Sequence, residues 1–163
     1  MEFKLMPGGA VTGEARVPGD KSISHRSIML GALADGPTAI TGFLEGEDAL
    51  ATVAAFRAMG VEIDGPDQGR VTVHGVGLDG LAAPAEPLDM GNSGTGTRLL
   101  AGIMAGQPFD TTMIGDSSLS SRPMGHIKNP LEDMGGSLDV TGEKGTLPMT
   151  IHGGTLKPIS YTL

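Results

Sequence analysis

A chain of 163 residues with a formal net charge of −8, no cysteine, no tryptophan and 3% aromatic residues excludes several functions at the outset. Without cysteine there are no disulfides, no thiolate catalysis and no cysteine-ligated metal sites. The acidic balance and scarce aromatics argue against a nucleic-acid partner, which calls for a basic face or a stacking platform.

Nothing at the N-terminus resembles a signal peptide, and no apolar run reaches the roughly 18 residues of a bilayer span, so a soluble, cytoplasmic protein with no membrane partner is expected. At 39% hydrophobic and 18% charged the composition is globular, and 10 Met against 4 Phe and 1 Tyr predict a largely aliphatic core. The 27 Gly and 11 Pro imply many turns between short elements. In chain order, a strand is placed within residues 1–17, ahead of a loop at 18–26, and a short helix over 28–34 follows. A strand at 38–42 precedes a second helix over 47–59, with Leu50, Val53, Ala54 and Ala58 on its apolar face and Gly60 at its end. Strands at 61–63 and 70–75 close this copy.

The same order then returns. A loop at 91–98 leads into a short helix over 99–105, a strand at 111–115 and a helix near 123–134 that contains Pro130 and ends at Gly135. Strands at 137–140 and 149–153 complete it. Met59-Gly60 corresponds to Met134-Gly135, and Val73-His74-Gly75 to Ile151-His152-Gly153. Both copies read β-α-β-α-β-β, giving a mixed α/β (α+β) fold with units at 18–84 and 85–163 and a linker at 80–87. Pro130 is expected to kink or shorten its helix.

Two of the loops carry chemistry. Pro18-Gly19-Asp20-Lys21-Ser22-Ile23-Ser24-His25-Arg26 and Gly91-Asn92-Ser93-Gly94-Thr95-Gly96-Thr97-Arg98 each run from small residues into a helix. A helix N-terminus has unpaired N–H groups and partial positive charge, and small residues let an oxyanion approach the backbone. Lys21, Arg26, Arg98 and Arg122, four of the 11 cations, lie in or beside such loops, which focuses positive charge on a small anionic ligand. The first loop is not a Walker A loop, because Asp20 separates Gly19 from Lys21. Ser22 and Arg26, four apart, share a helix face. The bland alternatives are an ordinary cap with solvated charges and a flexible turn capped by Asn92 or Ser93. In Ser120-Ser121-Arg122-Pro123-Met124, Pro123 fits a first helical turn with Ser121 as N-cap, which sets Arg122 at a third helix entrance. Gly75-Val76-Gly77-Leu78-Asp79-Gly80 matches the dinucleotide fingerprint in letters, but no helix follows it, and a turn is the better reading. The four histidines form no metal pattern; His25 and His126 stand near the loops and could assist anion binding. Most carboxylates read as caps, with Asp48 and Asp116 as possible contacts to a hydroxylated ligand.

The three loops, with Leu44-Glu45-Gly46-Glu47-Asp48 and Gly115-Asp116-Ser117-Ser118-Leu119, resemble the N-terminal motifs of the EPSP synthase family, in the flavour of its bacterial class II branch. The resemblance covers essentially the whole chain. It implies an inside-out α/β fold of two lobes, each of three β-α-β-α-β-β units, of which this chain would hold about two. It also implies transfer of enolpyruvyl from phosphoenolpyruvate to shikimate 3-phosphate, with phosphate release by addition and elimination, in aromatic amino acid biosynthesis. By resemblance Lys21, Ser22 and Arg26 bind shikimate 3-phosphate. Lys21 also meets phosphoenolpyruvate, as its catalytic contact, together with Asn92, Gly94 and Arg122. No metal or organic cofactor is implied, and glyphosate is the implied inhibitor. Gly94 predicts sensitivity to it, since tolerant relatives carry Ala at the matching position.

The resemblance further implies that residues 1–17 pack with the opposite lobe. The third unit, a Ser/Gln-rich phosphate-binding segment and the acid/base carboxylates would lie in a C-terminal part beyond this chain, which alone would be inactive. Two other readings remain: a non-catalytic module that binds phosphorylated ligands, and a relative of the UDP-N-acetylglucosamine enolpyruvyl transferases. The second is disfavoured by the absence of cysteine and by the Gly-Asp-Lys-Ser motif.

Overall fold

The computed structural model describes every residue except Met1, Leu5, Val11, Glu143, Lys144 and Leu163. Helix α1 (Lys21–Leu33) starts where Asp20, in extended conformation, accepts a hydrogen bond from the Ile23 N–H at 2.7 Å, an N-cap of the ordinary kind. Strand β1 (Asp35–Thr41), helix α2 (Glu47–Ala58) and strands β2 (Glu62–Asp67) and β3 (Arg70–Val76) follow. The first sheet is antiparallel in the order β1-β3-β2, with Thr38 opposite Val73 and Glu62 opposite His74. Strand β4 (Leu88–Asp89), helix α3 (Gly94–Met104), strand β5 (Thr111–Ile114), helix α4 (Gly125–Asp133) and strands β6 (Ser137–Gly142) and β7 (Thr146–His152) form the second half. Its sheet runs β4-β5-β7-β6; β4 and β5 are parallel across the α3 crossover and the other pairs antiparallel.

The mixed α/β expectation holds, and the order α-β-α-β-β recurs in both halves, preceded by a strand only in the second. α2 ends in a Schellman motif: Gly60 N–H bonds to Arg57 O, Val61 N–H bonds to Phe56 O, and Gly60 sits at φ +87°. α4 ends identically, with Gly135 bonded to Glu132 and Gly136 to Leu131, and Gly135 at φ +91°. The core is continuous through both halves, from Ile28, Phe56, Met59 and Val73 to Leu100, Met104, Met113, Met149 and Ile151. It is aliphatic apart from Phe43 and Phe56.

Among the described residues of 1–17 no strand forms before α1 and neither sheet pairs with this segment, whose expected partner is the opposite lobe. Three residues of that expected strand, Met1, Leu5 and Val11, lie outside the described residues. The buried residues of α2 are Ala49, Thr52, Val53, Ala55 and Phe56, not the stripe through Leu50, Ala54 and Ala58, which are exposed. A polar Thr52 inside the true stripe hid it from a reading by apolar residues. Ser121 does not cap α4. It closes a 3₁₀ turn and donates its hydroxyl to Ser118 O, while Arg122, preceding a proline, is extended at φ −91°, ψ 130°. The helix therefore opens at Gly125 and spans 9 residues against 12 in α2, with Pro130 inside it.

Candidate functional site

The first loop is locked from behind. A Cβ on Gly19 would stand 1.9 Å from Gly42 O, so only glycine permits this approach. Ser24 Oγ donates to Asp20 O at 2.8 Å and accepts from the Leu44 N–H at 2.9 Å, tying the start of α1 to the approach to α2. That leaves Lys21 and Ser22 on the first turn of α1, with Arg26 one turn later donating to Ser22 O at 3.1 Å. Lys21 Nζ meets Asp48 Oδ2 at 2.9 Å, with the lysine side chain 49% exposed. An ion pair this open contributes about 0–1 kcal/mol, so a phosphate can draw the ammonium away at little cost.

The second loop is built more tightly. Ser93 is fully buried, and its hydroxyl accepts from the Gly96 N–H at 3.2 Å while Thr97 Oγ1 donates to Ser93 O at 2.7 Å. Asn92 Nδ2 donates to Asp116 Oδ2 at 2.9 Å, and Asp116 Oδ1 accepts from the Leu119 N–H at 2.7 Å. Arg122 Nη2 donates to Asn92 Oδ1 and, at 3.2 Å, to Ser118 Oγ. Two guanidinium groups thus converge on one glycine: the Cβ position of Gly94 lies 2.8 Å from Arg98 Nη1 and 2.9 Å from Arg122 Nη1. The Nε of Arg98 is buried with no hydrogen-bond partner among the described residues. A helix N-terminus, paired guanidiniums and a residue without a side chain together offer a carboxylate or phosphate a site.

His25 is not an anion ligand. It is fully buried, its Nδ1 lies 2.7 Å from Thr52 Oγ1, and burial holds its pKa below the usual value, with Lys21 and Arg26 adding to the shift and Asp48 opposing it. His126 is exposed. Asp48 and Asp116 are engaged by protein partners, as caps and clips. Residues 75–80 end β3 and turn without opening a helix. The groove of about 460 Å³ beside the first loop, lined by Arg16, Gly19, Leu44 and Glu45 among others, includes none of Lys21, Ser22, Arg26, Asn92, Gly94 and Arg122. Of those six, Lys21, Arg26 and Asn92 are exposed, Ser22 and Arg122 half-buried, and Gly94 buried.

Residues 5–163 match the family described as EPSP synthase (3-phosphoshikimate 1-carboxyvinyltransferase). The chain belongs to the EPSP synthase family. It is 62% identical over 164 aligned residues to the 3-phosphoshikimate 1-carboxyvinyltransferase of Hydrogenovibrio crunogenus, covering 100% of this chain and 37% of that one. The enzyme of the same name from Alkalilimnicola ehrlichii is 64% identical, with 100% and 36% covered. A solved EPSP synthase from Acinetobacter baumannii superposes with a TM-score of 0.88 at 62% identity, over 91% of this chain and 34% of that chain. The chain thus spans little more than a third of the length of these family members. No helix among the described residues is long and apolar enough to cross a membrane.

Within this member of the family, Asn92, Gly94 and Arg122 form one cluster, and Lys21, Ser22 and Arg26 another. Arg98, counted among the loop cations in the sequence, receives no ligand role from the resemblance, yet the structure sets it beside Arg122 against Gly94. Its signal was available: it stands four residues after Gly94 in the same helix, and so over the same face.

Proposed function

We propose that this chain supplies one side of an enolpyruvyl transferase site in which Lys21, Ser22 and Arg26 hold shikimate 3-phosphate. In the same reading Asn92, Gly94, Arg98 and Arg122, with Lys21, hold phosphoenolpyruvate. The observation that carries it is the convergence of Arg98 and Arg122 over Gly94 at the start of α3. Both substrates are multiply anionic. Fixed cations and amide dipoles orient them and stabilise the charge that develops as the shikimate hydroxyl adds to the enolpyruvyl carbon and phosphate then departs. The units at 18–84 and 85–163 contribute one cradle each. Turnover, in this reading, requires the remaining two-thirds of the family's length, and the setting is the cytoplasm.

Calorimetric titration of the chain with shikimate 3-phosphate, with and without phosphoenolpyruvate, tests the assignment. Saturable binding that weakens at least about tenfold in Lys21→Ala is the expected result. A folded chain whose binding is indifferent to Lys21→Ala refutes it. Product formation on adding the C-terminal two-thirds of a family member separates a transferase from a module that binds without turnover.

A further inference from the structure

Resting on that two-anion reading, we propose that the buried contact between His25 and Thr52 is the joint that sets the spacing of the two cradles. His25 and Thr52 are then positioning residues for the substrate pair. Helices α1 and α2 are cross-linked by two rungs one helical turn apart. The outer rung joins Lys21 to Asp48 at 2.9 Å, and the inner joins His25 Nδ1 to Thr52 Oγ1 at 2.7 Å. The outer rung is exposed and an incoming phosphate competes with it, so it cannot fix geometry in the loaded site. The inner rung is fully buried on both sides, where breaking it strands polar atoms away from water.

The inner rung also reaches the second cradle. The Cβ position of Gly96, in the first turn of α3, lies 3.0 Å from Thr52 Oγ1 and 2.6 Å from Ser93 Oγ, the hydroxyl that caps that helix. One threonine therefore touches α1 through His25 and abuts the start of α3, while lying in α2 itself. His25 Nε2 is buried with no hydrogen-bond partner among the described residues, so the ring is held through Nδ1 alone. Burial holds the ring's pKa below its usual value, favouring the neutral form, which suits a rigid contact beside two cationic cradles.

The test uses Thr52→Val, which removes the hydroxyl at nearly constant shape, Thr52→Ser, which keeps it, and His25→Asn. Because the chain has no cysteine, Ile23→Cys on the exposed face of α1 and Gly102→Cys, whose Cβ position is open, accept spin labels uniquely. The expected result is that Thr52→Val and His25→Asn broaden or shift the α1–α3 distance distribution by on the order of 1 Å, while Thr52→Ser restores it. With ligands, Thr52→Val raises the Kd for phosphoenolpyruvate at saturating shikimate 3-phosphate by about tenfold, and the Kd for shikimate 3-phosphate alone by less than about twofold. A purely structural pair would lower the melting temperature and move neither the distance nor the ratio of affinities. An unchanged distance distribution in whichever of Thr52→Val and His25→Asn folds overturns the joint. A wild-type chain that binds neither ligand refutes the substrate reading instead, and the distance measurement, which needs no ligand, still decides the joint.

Discussion

The substitution Gly94→Ala separates stability from recognition, because the structure assigns the two effects opposite signs. The new methyl carbon would lie 2.8 Å from Arg98 Nη1 and 2.9 Å from Arg122 Nη1. Ordinary contact needs about 3.5 Å, so each guanidinium must retreat by roughly 0.6 Å. Both are the far ends of flexible side chains, and the retreat costs the fold little. Gly94 opens α3 without a left-handed backbone, so alanine also restricts the unfolded chain and contributes about 0.4–1 kcal/mol of stability. An anion seated over Gly94 meets both the methyl group and displaced donors. Losing one charge-assisted hydrogen bond costs about 1.5–3 kcal/mol, or roughly a 10- to 150-fold rise in Kd. The assay is calorimetry with phosphoenolpyruvate at saturating shikimate 3-phosphate, beside a thermal melt followed by circular dichroism. A Kd within about twofold of wild type refutes the reasoning. So does a melting temperature lowered by several degrees, which would mean that the guanidiniums cannot move.

Gly96→Ala, two residues on, should behave oppositely: its methyl meets Ser93 Oγ at 2.6 Å and Thr52 Oγ1 at 3.0 Å, disrupting the cap of α3 at about 1–2 kcal/mol. A denaturant midpoint equal to wild type would show that the cap tolerates it. Gly19→Ala drives a methyl into Gly42 O, backbone that cannot swing aside, and should expose the 21–33 amides to faster hydrogen exchange; unchanged protection refutes the close approach. His152 is held between Asp139 and Asp110 at 3.0 and 2.9 Å, and its hydrogen bonds to the two carboxylates raise its pKa. A raised folded-state pKa stabilises fully below the unfolded value, about 6.5, and is lost as pH rises through the folded one. His152→Asn should therefore lower the melting temperature more at about pH 5.5 than at about pH 9, and a deficit independent of pH contradicts the pairing.

What the sequence makes legible here is whatever depends on local backbone chemistry. Met59-Gly60 and Met134-Gly135 announce two helix ends because a Schellman motif needs a left-handed residue, and both ends form with the same hydrogen bonds. The small residues around Lys21 and Gly94 announce helix starts, although α1 and α3 open at Lys21 and Gly94, several residues ahead of the 28 and 99 expected. Side-chain direction is less legible. His25 reads as a neighbour of Lys21 in the chain, yet on a helix four residues make a turn of depth, and it is buried while Lys21 is half exposed. Leu50 reads as core and is 38% exposed, because the position that faces α1 belongs to Thr52, whose hydroxyl has a buried partner. Ser121 reads as a cap, but the proline two residues later forces Arg122 out of the helical region before the helix can begin.

The two copies show how one unit diverges into two kinds of cradle. Both sheets keep a cross-strand Asp–His contact, Asp64 with His74 and Asp139 with His152, at 2.9 and 3.0 Å, and both long helices end alike. The differences gather at the helix starts. α1 is capped by Asp20, a carboxylate that adds negative charge where an anion would sit, so binding there leans on the side chains of Lys21 and Arg26. α3 is capped by neutral Ser93, which leaves the helix end electropositive, and Arg98 and Arg122 close over it. A phosphate held mainly by flexible cations tolerates a bulky, polyhydroxylated neighbour. On the proposed reading, a small planar carboxylate held against Gly94 by Arg98 and Arg122 does not, and the second cradle is accordingly where a single methyl group should discriminate between ligands.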